Sequence, residues 1–136
     1  MFSAEKLPPP YKDYQVERSS RVVYLRNLAR SRVLIYVRGP HDSLSFKFGE
    51  MMALGRPIVG QKLRHNRDTL YRHPYFDEQF AYEDPQEIVD KVVELLANPA
   101  KMEAIARSNE EVFESTLTPA AGIANILNAL LAEGSL

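Results

Sequence analysis

The residues of this chain best suited to chemistry fall together between two apolar runs, at 33–37 and 57–60: Arg38, Asp42, Ser43, Ser45, Lys47 and Glu50. Cations and hydroxyls beside a helix start suit an anion. The first amides of a helix have no internal partner and carry the positive end of its dipole. The expected ligand is a phosphate or pyrophosphate. Asp42 and Glu50 are carboxylates, each able to accept two donors from sugar or ribose hydroxyls. Plainer readings stand beside these: Ser43 or Ser45 as a simple helix cap, Glu50 as a solvated side chain, Asp42 as a chance neighbour. His41 shares the loop and reads as a surface residue. His65 and His73 do not join it at a metal-ligand spacing, so no metal site is expected. No GxGxxG, P-loop or GxSxG pattern occurs.

Elements must hold these side chains in place. Val33, Leu34, Ile35, Tyr36 and Val37 form a continuous β-rich run, the pattern of a strand buried on both faces of a parallel sheet. Arg38-Gly39-Pro40 ends it. A helix is expected from about 45 to 54, with Phe48, Met51 and Met52 on its packed stripe and Gly55 as its left-handed stop. At about 100° per residue, Glu50 falls opposite that stripe and points away from the core. Pro57, Ile58, Val59 and Gly60 give the next strand. Strand, helix, strand implies a parallel crossover, whose ligands sit beyond the carboxyl ends of the strands.

Upstream, residues 1–19 with Pro8, Pro9 and Pro10 read as an arm or linker, and 20–31 as a short helix. Downstream, 61–78 reads as a loop with room for one helical turn, and 79–82 as a third strand. Three helix starts follow. Asp84-Pro85 with Glu87, Asn98-Pro99 and Thr118-Pro119 each pair a capping side chain with proline at the first helical position. The last helix carries Ile123, Ile126, Leu127, Leu130 and Leu131 on one stripe. The fold class is therefore α/β: a partial Rossmann-like, three-layer domain over 20–136, with a short parallel sheet and C-terminal helices. Three strands are fewer than such domains usually have. An upstream domain or a partner chain is expected to complete the sheet, and a homo-oligomer is compatible with the modest core.

Composition narrows the function classes. Hydrophobic residues make up 45% of 136 residues, which is enough for one packed core. With no cysteine, disulfides, thiolate zinc sites and cysteine nucleophiles are excluded. No apolar run reaches the roughly 20 residues of a membrane-spanning helix, and the first ten residues lack a secretory apolar stretch. A cytoplasmic chain is expected. Basic residues concentrate in 1–40 and acidic ones in 83–114. Without aromatic interleaving or a nucleic-acid motif, the basic third reads as a solvated face rather than a nucleic-acid patch.

The stretch from Ser43 through Glu50, Met51, Met52, Ala53, Gly55, Pro57 and Val59 resembles the donor-site signature of two-domain glycosyltransferases of the GT-B fold. That signature has a glutamate, a Gly-Phe-Gly stretch, a second glutamate, then Ala-x-Gly-x-Pro and a strand. The order Arg30, Ser31, residues 33–37, Gly39, Ser45, Glu50 is also similar to the exostosin-like and spore-coat-type branches. Asp84-Pro85-Gln86-Glu87, Leu95-Leu96, Asn98-Pro99 and the polar run at Ala106-Arg107-Ser108-Asn109 resemble the family's downstream passage. The resemblance implies a transfer of sugar from a nucleotide diphosphate sugar to an acceptor. Glu50 would bind the ribose and Asp42 the donor sugar hydroxyls. Ser43-Leu44-Ser45 stands where the family has Gly-Phe-Gly. The family's basic pair for the leaving diphosphate lies upstream of this segment, and Arg38 or Lys47 would take its place. No metal or cofactor is implied. The acceptor domain would be a missing N-terminal domain or partner chain. The alternative is a non-catalytic α/β interaction module that retains the fold.

Overall fold

The computed structural model describes residues 11–14, 19–64 and 73–132. The chain divides into two compact units, Met1–Arg30 and Ser31–Leu136. The first holds a 3-10 turn at Tyr11–Tyr14 and helix α1 at Arg21–Arg30. Ser20 starts α1, its carbonyl accepting from the Tyr24 amide at 2.9 Å and its Oγ from the Val23 amide at 3.4 Å.

The second unit runs β1 (Leu34–Tyr36), α2 (Lys47–Ala53), β2 (Ile58–Gly60), α3 (Phe76–Gln79), α4 (Pro85–Leu96), α5 (Pro99–Val112) and α6 (Pro119–Ala132). This is the expected α/β class with a short parallel sheet and C-terminal helices. Leu34, Ile35 and Tyr36 face Ile58, Val59 and Gly60 in parallel register. Because side chains alternate along a strand, Tyr36 and Ile58 share one face and Ile35 and Val59 the other. On the first face, Tyr36 meets Phe48 of α2 edge-on at 5.7 Å and Phe80 at 5.9 Å. On the second, Val59 packs with Leu95 of α4 and Ile105 of α5.

Gly60 sits where only a glycine fits. A Cβ there would lie 2.6 Å from Tyr36 Cβ and 2.9 Å from the Tyr36 carbonyl carbon. Gly55 has φ 56°, and its amide donates to the Met52 carbonyl at 3.0 Å, closing α2 as the left-handed residue after the cap.

The three proline-started helices form where local chemistry places them. Asp84 Oδ1 accepts from the Gln86 amide at 2.7 Å. Asn98 Oδ1 accepts from the Lys101 amide at 3.1 Å. Thr118 Oγ1 accepts from the Ala121 amide at 3.2 Å. A π turn at Phe113–Leu117 separates α5 from α6, and the axis bends there by 57°. Among the described residues no single helix is long and apolar enough to cross a membrane.

Two expectations fail. The stretch 79–82 is not a strand: Gln79 ends α3, and only Tyr82 makes a parallel bridge, to Gln61. Side chains replace the missing strand along the outer edge of β2. Gln79 Oε1 accepts from the Ile58 amide at 2.9 Å, and Asn109 Nδ2 donates to the Arg56 carbonyl at 2.7 Å. Tyr82 pairs with the rest of that edge, its carbonyl accepting from Lys62 at 3.0 Å and its amide donating to Gly60 at 3.4 Å. The second failure is β1, which is not buried on both faces. Leu34 and Tyr36 are buried, but Ile35 is 55% and Val37 62% exposed. The helices that cover the second face lie over β2, and Ile35 and Val37 fall beyond them.

Gln79 and Asn109 also hold each other. Gln79 Nε2 donates to Asn109 Oδ1 and Asn109 Nδ2 to Gln79 Oε1, both at 3.0 Å. His73 joins them through Nε2 to Asn109 Oδ1, while its Nδ1 accepts from the Tyr75 amide at 3.1 Å. That acceptor role fixes the proton on Nε2. All three residues are buried. On the surface, Lys91 and Lys101 bind Glu78 and Glu94 and tie α3, α4 and α5 together. Isolated exposed pairs contribute little each, but here Lys91 is only 11% exposed and both lysines share both glutamates in one network.

Candidate functional site

Arg38 leaves β1, Lys62 and Arg64 leave β2, and Glu83 follows the bridging Tyr82. Parallel pairing brings all of them to the carboxyl edge of the sheet, where open α/β sheets bind ligands. Arg38 is the hub. Its two terminal nitrogens donate to Glu83 Oε1 and Oε2 at 2.9 and 2.8 Å. One also donates to the Lys62 carbonyl at 3.2 Å. Its Nε lies 3.1 Å from Asp42 Oδ1, and its amide donates to Gln61 Oε1 at 3.0 Å. A two-pronged guanidinium–carboxylate pair fixes geometry as well as charge. Glu83 first, then Asp42, raises the Arg38 pKa above its ordinary value. Reciprocally, Arg38 first, then Arg64, holds Glu83 below the usual carboxylate range.

Arg64 reaches the same carboxylates, 3.5 Å from the second oxygen of Asp42, Oδ2, and 3.6 Å from Glu83 Oε1, the oxygen that Arg38 also bonds. Lys62, Leu63, Arg64 and Glu83 line a cavity of ≈ 390 Å³. Arg64 and Lys62 on the wall of an open hollow, with Arg38 bonded to Glu83 beside it, can bind an anion. Two acids among them can accept hydroxyls.

The loop that carries Asp42 is bent. His41 and Asp42 have φ 56° and 60°, the left-handed region that costs non-glycine residues about 1–2 kcal/mol each. Gly39 and Ser43 close the loop, with the Gly39 amide donating to the Ser43 carbonyl at 2.9 Å and the Ser43 amide to Pro40 at 3.1 Å.

The six residues expected from sequence are thus dispersed. Arg38 and Asp42 meet. Ser43 is exposed at the loop's end. Ser45 acts at its own helix start: its amide donates to Tyr36 Oη at 3.2 Å, and its Oγ lies 3.4 Å from the Lys47 amide. Lys47 is exposed in the first turn of α2. α2 begins at Lys47, two residues later than expected. Glu50 is half-buried, with Oε2 fully enclosed, rather than directed away from the core. The stripe Phe48, Met51, Met52 is buried as expected, but α2 also lies against α5 and the π turn, so its far side is partly covered. His41 is exposed, His73 is buried, and His65 lies outside the described residues.

Arg64 and Glu83 escaped sequence reading. Their signal was positional: each closely follows a residue that pairs in the sheet. The third pairing element is a single bridge, so no strand pattern marked Glu83. Among the described residues no group of three His, Asp or Glu side chains converges to hold a metal ion.

A family model described as "Glycosyl transferase-like" matches residues 6–128. No curated protein and no solved structure matches the chain.

Proposed function

The chain belongs to the glycosyl transferase-like family, and from that premise we propose that it is the donor-binding portion of a glycosyltransferase of the GT-B type. It takes a nucleotide diphosphate sugar at the carboxyl edge of its sheet, for transfer to an acceptor held by a further domain or partner chain. One observation carries this reading: Arg38, Lys62, Arg64, Asp42 and Glu83 converge beyond the strand ends, where Lys62, Arg64 and Glu83 line a hollow. There, guanidinium and ammonium groups stabilise the departing diphosphate by charge alone. In this reading Glu50 receives the ribose hydroxyls and Asp42 those of the donor sugar, and Ser43, Ser45 and Lys47, in the loop and first turn of α2 that follow, supply further polar contacts to the donor. The compartment that fits this chemistry is the cytoplasm.

The alternative is an interaction module that keeps the fold without the reaction. The exposed Ile35 and Val37 and the apolar side chains of α6, with Ile123, Ile126 and Leu131 more than 60% exposed, favour it.

Titration of the 136-residue chain with UDP, GDP, ADP and their sugars, followed by NMR into the millimolar range, separates the two. The donor reading expects one diphosphate to bind weakly, and Glu50→Ala to weaken it by about 1–3 kcal/mol, the cost of a lost charged hydrogen bond. Binding of none of them leaves the interaction module. The isolated chain is expected not to turn over, and measurable sugar transfer by it would contradict its being only a donor-binding portion.

A further inference from the structure

The two arginines at the sheet edge are held very differently. Arg38 is 12% exposed, donates to Glu83 with both terminal nitrogens at 2.8–2.9 Å, and also reaches a backbone carbonyl. Arg64 is 54% exposed, and its separations from Asp42 and Glu83, 3.5 and 3.6 Å, exceed the 2.7–2.9 Å of a charge-assisted hydrogen bond. Both arginines nevertheless address the same two carboxylates, which are themselves 40% and 46% exposed. Arg64 and Glu83 also line the same hollow together with Lys62.

An incoming phosphate therefore meets a site whose positive charge is already partly answered. It can grip Arg38 with two oxygens only by displacing some of that residue's four contacts to Glu83, Asp42 and the Lys62 carbonyl. It can take Arg64 by turning one solvent-facing side chain. We propose that Asp42 and Glu83 are resident competitors for the site: in the empty chain they hold Arg64 at long range, and they surrender it to the diphosphate of the donor, while Arg38 keeps its carboxylates and braces the loop. This inference rests on the donor-site reading above. It makes Arg64, with Lys62, the mobile anion-receiving pair, and Arg38 a positioning residue.

The test titrates the full chain with inorganic pyrophosphate and with UDP at low ionic strength. Wild type, Glu83→Gln, Asp42→Asn and Arg64→Gln are compared, with folding checked by circular dichroism. Removing a resident negative charge raises pyrophosphate affinity about 3- to 10-fold, the scale of one unit charge a few ångströms away in a wet site. Arg64→Gln lowers affinity by a similar factor or more. If Glu83→Gln loses its fold by releasing Arg38, Asp42→Asn decides. Wild-type binding that the carboxylate variants leave unchanged or weaken, or that Arg64→Gln leaves intact, overturns the inference and spares the donor site. Failure of every chain, wild type included, to bind either anion removes both. UDP bound where pyrophosphate is not places recognition on the nucleoside, and that too overturns the exchange.

Discussion

Replacing Asn109 by alanine tests whether the buried amide cluster or the apolar contacts around it secure the second unit. Asn109 has no solvent exposure. The substitution strips the partner from Gln79 Nε2, from His73 Nε2 and from the Arg56 carbonyl. A buried polar group left without a partner costs about 1–3 kcal/mol. These three belong to one network and do not add independently, so the expected loss is about 3–5 kcal/mol. At about 2.1 cal/mol/K per residue of unfolding entropy, a chain of this length drops in Tm by roughly 10–17 °C. Urea denaturation followed by circular dichroism, with calorimetry for Tm, reads both quantities. Pairing it with Gln79→Ala in a double-mutant cycle should give a coupling of about 1 kcal/mol or more, because the two amides bond in both directions. A loss below about 1 kcal/mol for Asn109→Ala, or a cycle that closes additively, would refute the reasoning.

Two further outcomes follow from the same core. Burial lowers the His73 pKa below 6.5, although its bond to Asn109 works the other way. The unfolded chain therefore binds the proton first as pH falls through about 6.5, so the histidine contributes stability above that pH and loses it from there down to its folded pKa. Wild-type Tm should fall between pH 7.5 and 5.5 more steeply than that of His73→Gln, and equal slopes would contradict this. Gly60→Ala drives a methyl into the Tyr36 backbone. It should cost about 1–3 kcal/mol as an overpacked core change and disturb the β1–β2 pairing, visible as faster exchange of the Gln61 amide bonded to the Tyr36 carbonyl. An unperturbed exchange rate would mean the strands have room that the geometry denies them.

What could be read from the sequence was what neighbouring residues decide among themselves. Asp84, Asn98 and Thr118 cap amides two or three positions ahead, and Gly55 closes the helix that ends just before it. The errors arose where a distant part of the chain decides. The apolar run at 33–37 shows that a strand is favoured there but says nothing of what covers it, and Ile35 and Val37 lie bare. Glu50 was oriented by the wheel of an isolated helix, yet α2 lies against more than one neighbour. Asn109 stands in a short polar run that by itself gives no sign of burial, and its partners Gln79 and Arg56 lie 30 and 53 residues away. At the candidate site Arg38 and Asp42 were legible because they flank one loop. Glu83 was not, since it stands 45 residues from Arg38 and only the parallel alignment of the strand ends joins them.

The outer border of β2 is finished by removable parts. Where most sheets have a neighbouring backbone that no mutation can delete, this one relies at its entrance on two carboxamides, Gln79 and Asn109. Losing either uncovers main-chain groups with the spacing that another extended chain can zip onto. Such variants should fail by sticking to one another as much as by melting, so their soluble yield in a cell would fall further than their folding free energy alone explains.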